Sequence, residues 1–389
     1  MSAGIGIDPV ALTQALVRCP SVTPAEGGAL SLLAGILKKA GFRVDRPVFY
    51  APGTPDIENL YARIGEGAPA LVFAGHTDVV PTGDETHWQV APFSGDIRDG
   101  VLYGRGACDM KAGVAASISA VLRHLERHGV PASGSIAFLI TGDEEGPAIN
   151  GSIKLLEWAA ARGETLTACV LGEPTNPDLM GDMLKIGRRG SLTGRLSVTG
   201  KQGHVGYPHL AENPIPTMVA LLAALKAAPL DAGTDFFDAS NLEVTTVDTG
   251  NPATNLIPGA VTATFNIRFN DLWTPQTLES EIRRRLAGVT AGARYDLRFD
   301  PTNSVAFLTK PGPFVDLVRD AVSAETGRVP ALSTTGGTSD ARFIKNYCEV
   351  VEFGVVGKTM HQIDECVAVS DIETLTRVYE RVIAGFFAR

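Results

Sequence analysis

Cysteine is scarce and follows no pairing pattern. The 5 cysteines, Cys19, Cys108, Cys169, Cys348 and Cys366, are odd in number and scattered, with no Cys-x-x-Cys. This argues against a disulfide framework and a thiolate zinc site, and fits thiols kept reduced in a cytoplasm. Long apolar runs are missing too: none approaches the ~20 residues that span a bilayer. The opening MSAGIGIDPV lacks the basic stretch and apolar core of a secretory signal, so a cytoplasmic protein is expected. Positive charge is not in excess. A net charge of −9 argues against nucleic acid or an anionic membrane as the main partner. Anionic small-molecule substrates stay open, because a local arginine cluster can reverse the sign at a site. Internal repeats and low-complexity tails are also lacking.

What is there belongs to a soluble globular protein. Of 389 residues, 44% are hydrophobic and 20% charged, and the length suffices for two domains. Asp8-Pro9 opens a helix to about Cys19, with Asp as N-cap and Pro in the first turn. A second amphipathic helix runs from about Gly28 to Ala40 and stops at Gly41. From there to Leu171 short apolar strands alternate with helices, which predicts a mainly parallel sheet with helices on both faces. Near Leu184 the pattern changes to long alternating strands, such as GRRGSLTGRLSVTG and GAVTATFNIRF, with two amphipathic helices and a strand ARYDLRFD. This predicts a smaller α+β domain inserted into the first. The expected division is 1–186 and 304–389 for the α/β domain, and 187–303 for the insertion.

Chemistry-bearing residues recur at the ends of the apolar strands. ALVFAG leads into His76 and Asp78, SIAFLITG into Asp143, Glu144 and Glu145, and TACVLG into Glu173. GVLYGRGAC leads into Asp109, and His361 lies near the C-terminus in KTMHQIDECV. Taken singly these are weak signals. An isolated His-x-Asp is more often a core or surface pair than a ligand set, and an acidic run is usually a solvated face. Together they point to a metal site at one edge of a sheet, in the crevice where open α/β sheets bind ligands. His76, Asp109, Glu145, Glu173 and His361 are too many for one tetrahedral zinc with an open position, and suit two metals if one carboxylate bridges. Asp109 is the candidate bridge: it is short, follows a Gly-rich turn, and is read as opening a long helix. Spacing alone does not prove that choice. Of the adjacent pair Glu144 and Glu145, one can bind metal while the other faces the attacking water as general base and then acid.

With HTDVVP, GRGACDMKAG, TGDEEG, GEPT and KTMHQIDECV, the chain resembles the dinuclear-zinc amidohydrolases, which include aminoacylases, acetylornithine deacetylases and carboxypeptidase-like enzymes. The resemblance runs from about His76 to Val367. The strings GRRGSLTGRLSVTGKQGHVGYPHLAENPI, TNLIPG and GGTSDARFI are similar to those of the branch that cleaves N-succinyl-LL-2,6-diaminopimelate to succinate and LL-2,6-diaminopimelate. The resemblance implies two Zn²⁺ per subunit, with Co²⁺ or Mn²⁺ as substitutes. One would sit on His76, Asp109 and Glu173, the other on Asp109, Glu145 and His361. It implies that Asp78 orients His76, that Glu144 is the general base, and that His204 stabilises the oxyanion across a dimer interface. A homodimer joined through the inserted domain is therefore expected.

For an anionic amide substrate the resemblance points to Arg188, Arg189, Ser191, Tyr207, Asn255 and Arg268, with Gly337, Thr338 and Ser339 in a turn that can offer N–H donors. Cys108 stands where many relatives carry Ala, and is read as a small buried residue. Gly357 stands where some carry Asn. His87, His124, His128 and His209 receive no role. A sister activity, on acetylornithine or a peptide C-terminus, shares the same metal motifs. A metal-free binding protein would have lost a ligand or the base, and none is missing.

Overall fold

The strands Ala70–His76 and Gly134–Thr141 are buried along their whole length, the mark of a sheet covered on both faces. The computed structural model describes residues 7–289 and 294–388. Residues 1–6, and Ala293 at the head of the expected strand ARYDLRFD, lie outside the described residues. By its internal contacts the chain divides into two units. The first comprises Met1–Ile186, Thr309–Ser333 and Ser339–Arg389, and the second Gly187–Leu308 with Thr334–Thr338.

The first unit is built on an 8-stranded sheet. Its order is Arg43–Asp45, Leu60–Glu66, Gly134–Thr141, Ala70–His76, Ala168–Leu171, Glu349–Glu352, Met183–Lys185, Ala331–Ser333. The four strands from Gly134–Thr141 to Glu349–Glu352 are mutually parallel, while Leu60–Glu66 and Met183–Lys185 run antiparallel to their neighbours in that block. Helices Pro9–Val17, Ala112–His128, Pro313–Thr326 and Val369–Phe387 pack among themselves, and Ser152–Ala160 packs with the short helix Ala341–Ile344. Asp8 caps the first helix, its Oδ1 accepting from the amides of Val10 and Ala11 at 2.9 and 3.1 Å. The mixed α/β class with a mainly parallel sheet is thus the observed one.

The parallel arrangement gathers strand ends. His76 is the last residue of its strand, Glu144 and Glu145 follow Thr141 on a loop, and Glu173 follows Leu171 by two residues. Two glycines allow this crowding. A Cβ on Gly113, in the first turn of helix Ala112–His128, would lie 2.2 Å from the carbonyl oxygen of Gly172, and one on Gly354 would lie 2.2 Å from that of Glu173. Backbone therefore meets backbone directly behind Glu173.

The second unit is a 4-stranded antiparallel sheet in the order Asn241–Asp248, Ala260–Phe269, Gly190–Thr199, Tyr295–Phe299. Alternate residues of Gly190–Thr199 are buried. Leu192, Leu196, Phe265 and Ile267 form one core with Met218 and Leu221 of helix Ile215–Lys226 and Leu278 and Ile282 of helix Pro275–Ala287. The boundary differs from the expected 187–303. Phe307–Leu308 pairs with Gly187–Arg188 as a small antiparallel ribbon, and the Thr334 hydroxyl donates to the Phe236 carbonyl at 2.6 Å. Hydrogen bonds thus hold 304–308 and 334–338 to the second unit, a long-range pairing that hydrophobic pattern does not report. Asn241–Asp248 is an edge strand with mostly exposed side chains.

The Gly113 contact makes a prediction. Gly113→Ala should cost about 1–3 kcal/mol through overpacking, measured by denaturant unfolding of the metal-free protein. Wild-type stability would show that the helix can move off Gly172 freely.

Candidate metal centre

Each ligand-type side chain is placed by a different local device. His76 is 1% exposed. Its Nδ1 lies 2.9 Å from the main-chain carbonyl oxygen of Asp78. A carbonyl only accepts, so Nδ1 carries the proton and Nε2 is left as the ligand atom. That Nε2 makes no hydrogen bond. It faces Asp109 Oδ1 at 3.3 Å and Glu173 Oε1 at 3.8 Å.

Asp109 turns its other oxygen the opposite way. Oδ2 is 3.4 Å from His361 Nε2, which is also 2.8 Å from Glu145 Oε1. One carboxylate thus presents one oxygen to each histidine, the arrangement a bridging ligand needs. Two sets of potential ligand atoms lie within 4.8 Å of one another, His76 with Asp109 and Glu145, and His76 with Glu144 and Glu173. Asp109 does not open the long helix as the sequence suggests. Asp109 and Met110 have non-helical φ/ψ inside an irregular turn, Ala107–Lys111, and the regular helix begins at Ala112. That turn, entered through Gly106 at φ +81°, frees the carboxylate to point away from the helix axis.

The charges explain the site's demand for cations. Burial pushes the Asp109 carboxyl up, but the neighbouring imidazoles of His361 and His76 outweigh it and the net shift is down. Hydrogen bonds to the Asp109 and Glu145 carboxylates push His361 up to about 10. Burial opposes charge on His76, yet Asp109, Glu173 and Glu144 raise it well above the usual imidazole range. Burial, then the charge of Glu173, raises Glu144. Carboxylates in this density are stable only beside positive charge. With a buried imidazole Nε2 lacking a hydrogen bond, the donor set of imidazoles and carboxylates fits divalent metal.

Asp78 acts differently from the expectation that its carboxylate orients His76. The carboxylate is 3.7 Å from His76 Nδ1. It accepts instead from the backbone amides of Glu144 and Glu145, at 3.3 and 3.0 Å. The main-chain carbonyl holds the imidazole and the side chain holds the loop of the two glutamates, because the loop's amides point into the same buried pocket. Burial, partly offset by His76 and these amides, pushes Asp78 up to about 7.

Residues named for substrate lie in the second unit, apart from Ser339. Ser339 is 1% exposed and its hydroxyl donates to Glu352 at 2.6 Å, so that hydroxyl serves the fold of the first unit. Arg188 is buried and donates to the Gly337 carbonyl at 3.0 Å, beside Thr338. Arg189 donates to the Asn241 side chain at 3.1 Å. Arg268 lies opposite Ser191 in the strand register, and its guanidinium is lowered by burial and by the charge of Arg189. His204, Tyr207 and Asn255 are exposed. His204 Nδ1 accepts from the Gly206 amide at 2.9 Å, so Nε2–H faces outward as a donor. His204 also pairs with Leu256, next to Asn255. Cys108 is fully buried. His87, His128 and His209 are exposed and His124 partly so, none in a potential ligand set.

Sequence reasoning missed Arg105 and Glu365, both buried and paired at 2.7 Å behind Asp109. The only signals were an Arg inside a Gly-rich turn and a Glu four residues after His361, neither distinguishable from surface charge by pattern.

Comparison with known proteins adds the family. The model for peptidase family M20/M25/M40 matches residues 72–385. The succinyl-diaminopimelate desuccinylase of Methylorubrum extorquens (strain PA1) is 64% identical over 380 residues, 97% of this chain and 99% of that protein. The protein of that name in Beijerinckia indica subsp. indica is 60% identical over 376 residues, 97% and 98% of the two chains. Among solved structures, aminopeptidase PepT from Bacillus cereus is similar with a TM-score of 0.78 at 19% identity, covering 99% of each chain. The Bacillus subtilis YXEP protein, described as a dinuclear metal-binding peptidase, is similar with a TM-score of 0.71 at 14% identity, again covering 99% of each. At those identities the likeness concerns the fold.

The position of Asp78 makes a prediction. Asp78→Asn puts an amide donor against one of two backbone donors and should weaken zinc binding about 10–100-fold, the range for residues that support ligands. Calorimetric titration reads this directly. Unchanged affinity would show that the glutamate loop holds its place without the carboxylate.

Proposed function

The chain belongs to peptidase family M20/M25/M40, and from that premise we propose that it hydrolyses the succinyl amide of N-succinyl-LL-2,6-diaminopimelate with two zinc ions. The carrying observation is the placement of Asp109 between His76 and His361, with Glu173 beside the first and Glu145 beside the second. Identities of 60–65% to desuccinylases along nearly the whole chain support the substrate. The reaction belongs to lysine and diaminopimelate synthesis.

His76, Asp109 and Glu173 would hold one ion, and Asp109, Glu145 and His361 the other. When bound, zinc supplies Lewis acidity that polarises a carbonyl and acidifies water. Glu144 stands in the same cluster as His76 and Glu173. The resemblance to the dinuclear amidohydrolases assigns it as the base and Glu145 as the ligand. As base it takes a proton from the attacking water while the oxygen adds to the amide carbonyl, and gives it to the nitrogen as the C–N bond breaks. Products are succinate and the free amine. A carboxylate in that position can take a proton and return it.

His204 offers its Nε2–H to the developing oxyanion from the partner subunit. A homodimer through the second unit has support in that unit's surface. Asn241–Asp248 leaves an edge open to pairing, and elsewhere in the unit Val219 (61%), Leu210 (59%) and Tyr207 (58%) are exposed. Arg188, Arg189 and Arg268 would receive the substrate carboxylates as forked donors. Among the described residues no helix is long and apolar enough to cross a membrane, and a cytoplasmic enzyme is our reading.

Purified protein with zinc should release succinate from N-succinyl-LL-2,6-diaminopimelate and leave N-acetylornithine intact; the reverse preference would place it in a sister activity. Glu144→Ala should lose turnover by at least ~10²-fold with metal retained; near-wild-type turnover would remove it as base. His204→Ala should lower kcat about 10²–10³-fold at unchanged metal content, and a metal loss in parallel would contradict the oxyanion role.

A further inference from the structure

Asp109 and His361 face one another yet lie on segments distant in sequence, and neither segment has a regular element to fix it. Asp109 is in the irregular turn Ala107–Lys111. His361 is in a loop that bends through positive φ at His361 (+61°) and Asp364 (+58°). Non-glycine residues stay in that region only where their surroundings over-determine it.

What surrounds both segments is one buried ion pair. Glu365 is 0% and Arg105 2% exposed. Glu365 Oε1 accepts from the backbone amides of Cys108 and Asp109, each at 3.1 Å. Its Oε2 takes Arg105 Nη1 at 2.7 Å. The same Nη1 donates to the Gln362 carbonyl at 3.1 Å, and Nη2 to the carbonyls of His361 at 3.4 Å and Pro81 at 3.2 Å. The Glu365 carbonyl accepts from the Gly104 amide at 2.8 Å. Trp88 covers the guanidinium, its ring centroid 5.3 Å from Cζ, and the neighbouring amide of Gln89 donates to the Asp364 carboxylate at 2.8 Å. The pair therefore reaches the backbone of both ligands, and of the segment following His76 and Asp78, without touching the ligand side chains.

From this we propose that Glu365 and Arg105 are positioning residues that set the distance between Asp109 and His361, and thereby decide whether the metal between His361, Glu145 and Asp109 is held. The inference rests on the two-metal reading. The chemistry is specific. All partners of the Glu365 carboxylate on these contacts are donors, so the amide nitrogen of a glutamine meets a donor whichever way it is turned. The fork of Arg105 spans three carbonyls and a carboxylate, which the single ammonium of lysine cannot reproduce.

The test uses the full-length protein stripped of metal and titrated with Co²⁺, followed by calorimetry and visible absorption. Wild type should bind two equivalents. Glu365→Gln and Arg105→Lys should each weaken one equivalent about 10–100-fold and alter the visible bands of that site, with the other equivalent kept. A purely structural pair would lower the unfolding temperature of the metal-free variants and leave affinity and spectrum of the folded protein at wild-type values, and that result overturns the proposal. Breaking a buried pair can prevent folding, so Arg105→Lys, which keeps the charge, decides the matter if Glu365→Gln does not fold. A wild type that takes up fewer than two equivalents overturns the two-metal reading itself, whereas a normal wild type with unchanged variants overturns this inference alone.

Discussion

Everything in the first unit depends on one electrostatic constraint: carboxylates crowd a buried space at the ends of parallel strands, and they need cations. Asp109, Glu145, Glu173 and Glu144 approach His76 and His361. The same carboxylates raise the proton affinity of both histidines. Divalent ions answer the same demand with more charge and fixed geometry. The two histidines do not compete, because each takes a different oxygen of Asp109. On the proposed reading, that division of one carboxylate between two imidazoles is what turns a patch of negative charge into a place for two metals.

The fold meets this constraint chiefly with backbone. The parallel block delivers His76, the glutamate loop and Glu173 to one edge, and glycines at 113 and 354 let a helix and the segment after strand Glu349–Glu352 close behind Glu173 with no side chain between. The Asp78 carbonyl fixes which nitrogen of His76 is free, while its carboxylate ties down the amides of Glu144 and Glu145. Main-chain contacts are stiffer than side-chain contacts, having no rotamers to lose. A site whose function depends on sub-ångström spacing gains from being supported that way.

Much of this was legible in the sequence, and what was not has a physical reason. His76, Glu145 and Glu173 stand directly after apolar strands, and strand ends in a parallel sheet converge, so pattern alone brought them together. Asp109 was found for its Gly-rich turn, but the turn was read as the helix start; only backbone dihedrals show the regular helix beginning at Ala112. The resemblance assigned the Asp78 carboxylate to His76, whereas that carboxylate accepts from the amides of a loop 66 and 67 residues away. Arg105 and Glu365 escaped because a buried ion pair separated by 260 residues looks like two ordinary charges. The boundary at Leu308 escaped for a similar reason, since a two-residue ribbon with Gly187–Arg188 carries no periodic signal. Local pattern found what strands and turns determine, and failed where long-range hydrogen bonds choose the partner.

The most direct measurement of the central claim is anomalous X-ray scattering from crystals of the zinc-loaded protein. The account predicts two zinc peaks about 3.5–4 Å apart, one on each side of the Asp109 carboxylate, with His76 and Glu173 on the first and His361 and Glu145 on the second. A single peak, or two peaks with Asp109 bound to only one, would contradict it.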